Sequence, residues 1–209
     1  MKSSLSSQVY VALLEKLLKN ELVPGIILNR REVAAELGVS VAPVLEAMLH
    51  LEMEGFLESI PRKGTQVKPV IPEDVRGHLV VREALECQAA RIYCGEAVKK
   101  NEARLLKLAR KADQTPPDTV EHWRRELEFH NALIELTNIT TLIKEYNRIM
   151  KVNVFYGLNR IVTNLDGDDI HLHRELVELL KTNDPDKAER IMRKHARTGE
   201  KGFVIEGLR

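Results

Sequence analysis

Three residues, Gly38-Val39-Ser40, separate two helical patterns, and this short break constrains the fold more than any other feature of the chain. Before it, Arg30–Leu37 places Val33, Ala34 and Leu37 at helical spacing. After it, Val44, Met48 and Leu51 form one inward stripe with Ala47 beside it. So short a connection makes the two helices meet at a steep angle and share a core. Each residue suits its place. Gly38 is a natural end cap, Val39 plugs the space between the helices, and Ser40 is a good N-cap, with Pro43 tolerated in the first turn that follows. Ala34 is small where the helices cross.

The flanking segments complete a unit. Ser6–Asn20 carries a stripe of Val9, Leu13, Leu14, Leu17 and Leu18, and Val23-Pro24-Gly25 stops it. Gly55 ends the third helix. Phe56–Ile60 and Thr65–Val67 are predicted strands, joined through the turn Pro61-Arg62-Lys63-Gly64. Residues 1–70 therefore predict a winged helix-turn-helix with a basic-tipped hairpin.

Lys68–Pro72 is a short linker, after which strand signals vanish. Helical patterns follow over Glu73–Val98, Asn101–Ala112, Thr119–Leu136, Thr140–Thr163, Asp169–Lys181 and from Pro185 to about Val204, with Asp184 as N-cap. Leu165-Asp166-Gly167-Asp168 is predicted as a polar turn. Residues 74–209 thus predict an all-α bundle of about six helices, and the fold class is mainly α. Aromatics are only 4% of the chain, so the core rests on Leu, Val, Ile, Ala and Met, which favours packed helices. Cys87 and Cys94 are two helical turns apart, about 10 Å, too far for a disulfide. No apolar run has the length of a membrane span and the first residues lack the apolar stretch of a signal peptide, so the reading is a cytoplasmic protein without membrane contact.

Charge alone does not point to nucleic acid. Residues 1–70 hold eight basic and eight acidic side chains. A DNA-binding reading rests on placement: the second helix of a helix-turn-helix enters the major groove with its N-terminal residues at base edges, Ser40 can offer its hydroxyl or backbone N–H to a phosphate, and Arg62 and Lys63 suit a wing on the backbone or minor groove. The alternative is a helical corner with a basic loop and no DNA.

In the second half, Glu126 and His130 share a helix face, His173 begins the fifth helix, His195 lies mid-way along the sixth, and the four are a plausible divalent-metal set. Solvated Glu/His pairs at this spacing are common, so spacing alone leaves the metal open.

Taken in order, Leu22-Val-Pro-Gly25, Leu28, Arg31-Glu-Val-Ala-Ala, Leu37-Gly-Val-Ser40, Pro43-Val44, Glu46-Ala47, Leu51-Glu-x-Glu-Gly-Phe56 and Arg62-Lys-Gly-Thr-Gln-Val67 resemble the GntR family of winged-helix regulators. Arg82-Glu-Ala-Leu-Glu86, Ala89-Ala90, Glu126-Leu-Glu-Phe-His130, Asn138, His173-Arg-x-Leu, Asp184-Pro, Ala188 and His195 resemble the FCD ligand-binding domain that often follows it. The resemblance implies DNA contacts from Arg31, from the start of the recognition helix (Ser40, Val41, Ala42, Pro43, Leu45) and from the wing (Arg62, Lys63, Gly64). It implies metal ligands at Glu126, His130, His173 and His195, with zinc the expected ion and nickel or another divalent metal the alternative. Glu126 stands where the family usually has aspartate. Arg82 matches a first-helix arginine and is the expected anchor for a small carboxylate effector, or else a partner for Glu86 one turn away. His122 and His171 match no ligand and are read as groups at the surface or behind the ligands.

Val41 and Leu45 stand where the family usually carries arginine, the common bidentate reader of guanine. With Ala42 they offer only apolar contact, for example to thymine methyls. That leaves an A·T-rich operator, decayed DNA binding, or side chains that simply pack locally. The expected function is a ligand-responsive transcriptional regulator, a repressor, acting as a homodimer on a double-stranded DNA operator and not as an enzyme. The alternatives are a regulator-derived protein working through protein contacts and a metallo-hydrolase, the latter disfavoured because no separate base or nucleophile groups with the metal set.

Overall fold

The structure is a computed structural model and describes residues 4–116, 119–159 and 172–200, with side chains to 197 in the last stretch. The chain divides into two compact units, Met1–Ile71 and Pro72–Arg209.

In the first unit α1 (Leu5–Leu18) is followed by β1 (Ile27–Leu28), α2 (Arg30–Leu37), α3 (Val41–Glu54), β2 (Leu57–Ile60) and β3 (Gly64–Val67). Val9, Leu13 and Leu17 of α1, Val33 and Ala34 of α2, and Val44, Ala47, Met48 and Leu51 of α3 are buried together with Phe56, Leu57 and Val67. Between α2 and α3 the chain turns through 113°. Gly38 makes that turn in the left-handed region, φ 65°, where a Cβ is disfavoured. Ser40 is the N-cap by backbone position, but its hydroxyl makes no capping hydrogen bond, so the side-chain cap expected from the sequence is not formed.

The hairpin belongs to a three-stranded antiparallel sheet in the order β1-β3-β2. Strand β1 has no counterpart in the sequence reading. Two residues carry too little periodicity to register, and Leu28 pairs with Thr65 only across the fold. Arg62, at the wing tip, adopts φ 65°, and Arg62, Lys63 and Gly64 are all exposed.

The second unit contains α4 (Pro72–Tyr93), α5 (Glu96–Lys100), α6 (Glu102–Gln114), α7 (Val120–Glu135), α8 (Thr140–Asn159), α9 (His173–Leu179) and α10 (Pro185–Glu200). Among the described residues this makes seven helices rather than about six. The helix expected over Glu73–Val98 breaks at Gly95, φ 76°, whose N–H donates to the Leu180 carbonyl at 3.0 Å. A Cβ there would meet the Asn183 side chain and the Thr182 carbonyl, so glycine is required by a close approach that lies far away in sequence. Asp184 caps α10 as expected, accepting from the N–H groups of Asp186 and Lys187 at 2.9 and 3.1 Å. The expected turn at 165–168, the end of the fourth helix beyond 159, the start of the fifth, and His171 lie outside the described residues.

The core of this unit is one cluster that includes Ala89, Ala90, Tyr93, Leu105, Ala109, Phe129, Leu133, Tyr146, Leu176, Val177, Ala188 and Met192. Helix α10 lies against α4, and polar contacts flank the apolar seam. Arg91 pairs with Asp186 at 2.5 Å and Glu189 at 2.8 Å, while Glu83 takes Arg193 and Arg197. Cys87 and Cys94 are free thiols. Among the described residues no single helix is long and apolar enough to cross a membrane.

Candidate metal centre and recognition helix

The buried stripe of α7 runs through Trp123, Phe129, His130 and Leu133, and the i, i+4 spacing carries Glu126 to the same side as His130. His173 is the first residue of α9, and His195 lies one turn beyond the buried Met192 on α10, against His130 and His173. Three helices thus deliver four side chains to one point inside the bundle. The imidazole centroids are 5.5, 5.2 and 5.1 Å apart for the pairs His130–His173, His130–His195 and His173–His195. One ring nitrogen of each lies within 4.8 Å of the others, so the three histidines together could hold a metal ion.

The donor atoms have the spacing an ion needs. Two ligands on one tetrahedral zinc ion, each at about 2.0–2.1 Å, stand about 3.3 Å apart. His195 Nε2 is 3.4 Å from His130 Nε2, and Glu126 Oε1 is 3.2 Å from His173 Nε2. The fourth member also reaches inward, with Glu126 Oε2 3.8 Å from His130 Nε2. Glu126 Oε1 and His173 Nε2 are buried, face each other as an ion pair and have no further partner among the described residues. A divalent ion would take the place of the proton between them, and imidazole nitrogens with a carboxylate are a donor set that fits such an ion. The longer glutamate reaches the cluster from its place on α7, and the residues present fit the group.

Two carboxylates absent from the sequence-derived ligand set hold the imidazoles. Asp113, near the end of α6, accepts from His173 Nδ1 at 2.9 Å and from its backbone N–H at 2.8 Å. Glu86 on α4 lies 3.1 Å from His130 Nδ1. Each contact places a ring proton on Nδ1 and turns Nε2 to the cluster, the orientation typical of metal-binding histidines. Tyr146 of α8 donates to Glu86 at 2.5 Å. Both carboxylates had a sequence signature. They occupy buried-stripe positions on their helices, Leu79-Arg82-Glu86-Tyr93 on α4 and Leu105-Ala109-Asp113 on α6.

Charge states follow from this packing. Burial opposes the Glu126 anion, but the charges of His173, His130 and His122 outweigh it and hold the carboxyl well below its ordinary range. Burial likewise disfavours protonated His173, yet the Glu126 charge and the Asp113 hydrogen bond push its pKa up to about 9. Burial and the neighbouring His173 and His130 charges drive His195 well below its ordinary value, so it is neutral with a lone pair to give.

Arg82 lies at the edge of the cluster, 6% exposed, with Nε 3.1 Å from Glu86 Oε1 and Nη2 3.5 Å from His130 Nε2. The salt bridge to Glu86 considered for it from the sequence is therefore formed. It uses Nε, and Nη2 is turned toward His130. Asn138, quoted in the family pattern, sits just past α7 at φ 53° and is exposed, away from the cluster. His122 is half-buried one turn before Glu126 and contributes to its charge environment.

In the first unit, Arg31, Ser40, Val41 and Ala42 are exposed, whereas Pro43 and Leu45 are half-buried. Arg31 makes no ion pair among the described residues, while Arg30 is turned to Thr65 at 3.3 Å.

A winged helix-turn-helix followed by a helical unit is the build of a transcriptional regulator. The family comparisons agree: residues 5–67 match the bacterial regulatory proteins of the gntR family and residues 78–198 match the FCD domain. The chain belongs to the GntR family of transcriptional regulators, in its FCD group. It is 27% identical over 201 residues to the "Probable D-xylose utilization operon transcriptional repressor" of Paenarthrobacter nicotinovorans, covering 93% of this chain and 86% of that one. It is 28% identical to a helix-turn-helix regulator of Streptomyces ambofaciens, over 90% of this chain and 80% of the relative. The fold is shared with E. coli McbR/YncC, TM-score 0.73 at 23% identity over 95% of this chain and 96% of that one. It is also shared with a GntR regulator from Rhodococcus sp. RHA1, TM-score 0.77 at 19% identity over 99% and 100% of the two chains. The Paenarthrobacter and Streptomyces relatives and the Rhodococcus structure are named as transcriptional regulators.

Proposed function

We infer that this regulator is a repressor that binds a double-stranded DNA operator as a homodimer and releases or reshapes that complex when its helical unit takes up a small organic acid. The observation that carries the sensing half is the convergence of Glu126, His130, His173 and His195 on one buried point, with Glu126 Oε1 and His173 Nε2 3.2 Å apart. These four would hold a divalent ion, zinc or a similar metal. When bound, such an ion acts as a Lewis acid for a carboxylate or hydroxyl oxygen. Arg82 supplies a second, charge-assisted hold on an anion through its outer nitrogens. Asp113 and Glu86 keep His173 and His130 in the tautomer that can ligate.

The DNA half is supported by α3 with Arg31 before it and the wing of Arg62, Lys63 and Gly64 after it. The name of the Paenarthrobacter relative favours repression. A ligand can act only through unequal affinity for two arrangements of the protein, and a dimer suits a two-fold symmetric operator.

The test has two arms. Fluorescence anisotropy against the DNA upstream of the gene, at several salt concentrations, is expected to give sequence-selective binding that weakens as salt rises; binding without selectivity refutes the operator reading. Elemental analysis of the purified protein is expected to find a divalent metal that is lost in Glu126→Ala and His195→Ala; unchanged stoichiometry refutes the ligand set.

A further inference from the structure

We propose that the recognition helix specifies its operator by apolar contact with thymine methyl groups, so that the half-site is A·T-rich at the pairs met by the N-terminal end of α3. This rests on the reading of the first unit as DNA-binding. The helix Val-Ala-Pro-Val-Leu-Glu-Ala-Met-Leu-His-Leu-Glu-Met-Glu contains no Arg, Lys, Asn, Gln, Ser or Thr. It therefore lacks every side chain that reads guanine or adenine by a bidentate pair.

Its outward face is apolar instead. Val41 is 41% exposed, Ala42 is exposed, and Leu45 is half-buried one turn on. Local packing thus covers part of both Leu45 and Val41 and leaves an open apolar face on each. In the major groove the apolar feature of a base pair is the thymine C5-methyl. Two of the three glutamates of α3 are engaged within the unit: Glu52 accepts from the Ser59 backbone N–H and hydroxyl at 2.7 and 2.9 Å, and Glu54 accepts from the Tyr10 hydroxyl at 2.7 Å. Glu46 remains exposed beside Leu45. It can accept from an amino group of adenine or cytosine and gives no hold on guanine O6 or N7.

The occupant is duplex DNA because the apolar face is bracketed by exposed cations, Arg31 on one side in sequence and Arg62 and Lys63 at the wing on the other. The Ser40 hydroxyl, not used in capping, is open to a phosphate. In this division phosphate contacts supply strength and the methyl contacts supply sequence. The apolar stripe continues to Leu49 and Met53, 48% and 75% exposed. A protein partner on that stripe is the competing occupant.

The experiment is repeated selection by the full-length protein from a random-sequence duplex pool, followed by anisotropy titration of the most enriched duplex with deoxyuridine replacing thymidine one position at a time. Uracil pairs as thymine does but lacks the methyl. The expected result is enrichment of A·T-rich half-sites, with about fourfold weaker binding at each contacted position, the equivalent of about 0.8 kcal/mol for a buried methyl-sized group. Val41→Ala is expected to abolish the uracil effect at one of these positions. Enriched sites that need guanine and are indifferent to uracil overturn the proposal and leave DNA binding standing. Failure to enrich any duplex overturns both and assigns the face to protein.

Discussion

Replacing Asp113 by asparagine tests whether the buried carboxylates exist to prepare ligands. In the wild type one Asp113 oxygen takes both the His173 Nδ1 proton and its backbone N–H, and the other takes Arg174 Nε at 3.0 Å. Asparagine keeps one acceptor and gains an amide NH2. The His173 backbone N–H keeps the amide oxygen on the ring side, so the Nδ1 proton keeps an acceptor but loses its negative charge, and the NH2 is set against the Arg174 donors. Loss of such an outer partner typically weakens metal affinity about 10–100-fold, or about 1.4–2.7 kcal/mol. Proton competition acts in the opposite sense. Below pH 9 an ion must displace the proton that Glu126 and Asp113 hold on His173, whose pKa is about 9, and the variant holds that proton less firmly. Competition with a chromophoric zinc chelator should therefore be run at pH 9.5, where the loss of the charged acceptor behind His173 stands alone. Wild-type affinity is expected to climb between pH 7 and 9 and then level. Equal zinc affinities for the two proteins at pH 9.5, with matching melting curves in excess chelator, would refute the reasoning.

Arg82→Ala leaves the Glu86 anion buried without its guanidinium. With Tyr146 and His130 still on that carboxylate, the loss is expected at the low end of the range for a broken buried pair, about 3 kcal/mol in urea unfolding, and a change under 1 kcal/mol would contradict it. Glu83 joins α4 to α10, and hydrogen bonds from Arg197 and Arg193 hold its carboxyl below the ordinary 4.5. A depressed carboxyl contributes stability above its ordinary value and loses it as pH falls through the depressed one. Wild-type melting temperature should thus fall more between pH 6 and 3 than that of Glu83→Gln, and parallel pH profiles would count against the pairing. In Gly157→Ala the new Cβ would stand 2.6 Å from the buried Trp123 ring, so the variant is expected to lose about 1–3 kcal/mol by overpacking, read from chemical denaturation.

The boundaries readable from sequence were those set locally. Gly38, Gly55 and Asp184 end or begin helices through their own backbone and side-chain chemistry, and the elements beside them lie where those residues indicate. The features that escaped depend on partners distant along the chain. Strand β1 exists through pairing with β3, and the break at Gly95 exists because Asn183 and Thr182 crowd it. The candidate site divides in the same way. Glu126 and His130 announce themselves as neighbours on one helix face. Asp113 and His173 are sixty residues apart, and only the packed bundle brings them into contact. Even so, a charged residue on an otherwise apolar stripe, as Glu86 and Asp113 are, is a legible sign that the core has a polar use there.

The three imidazoles are not held alike. His130 rests on Glu86 and His173 on Asp113, but His195 Nδ1 has no hydrogen-bond partner among the described residues. Two arms of the cluster are thus fixed from behind, while His195 is set by packing and by His130 Nε2 at 3.4 Å. Were an ion held there, His195 would be the ligand whose ring direction no carboxylate fixes. His130 and His173 would keep their alignment through Glu86 and Asp113 with or without the ion. The tightness of such a site would then rest on the carboxylates of α4 and α6, and its tolerance for ions of different size on the ring of α10.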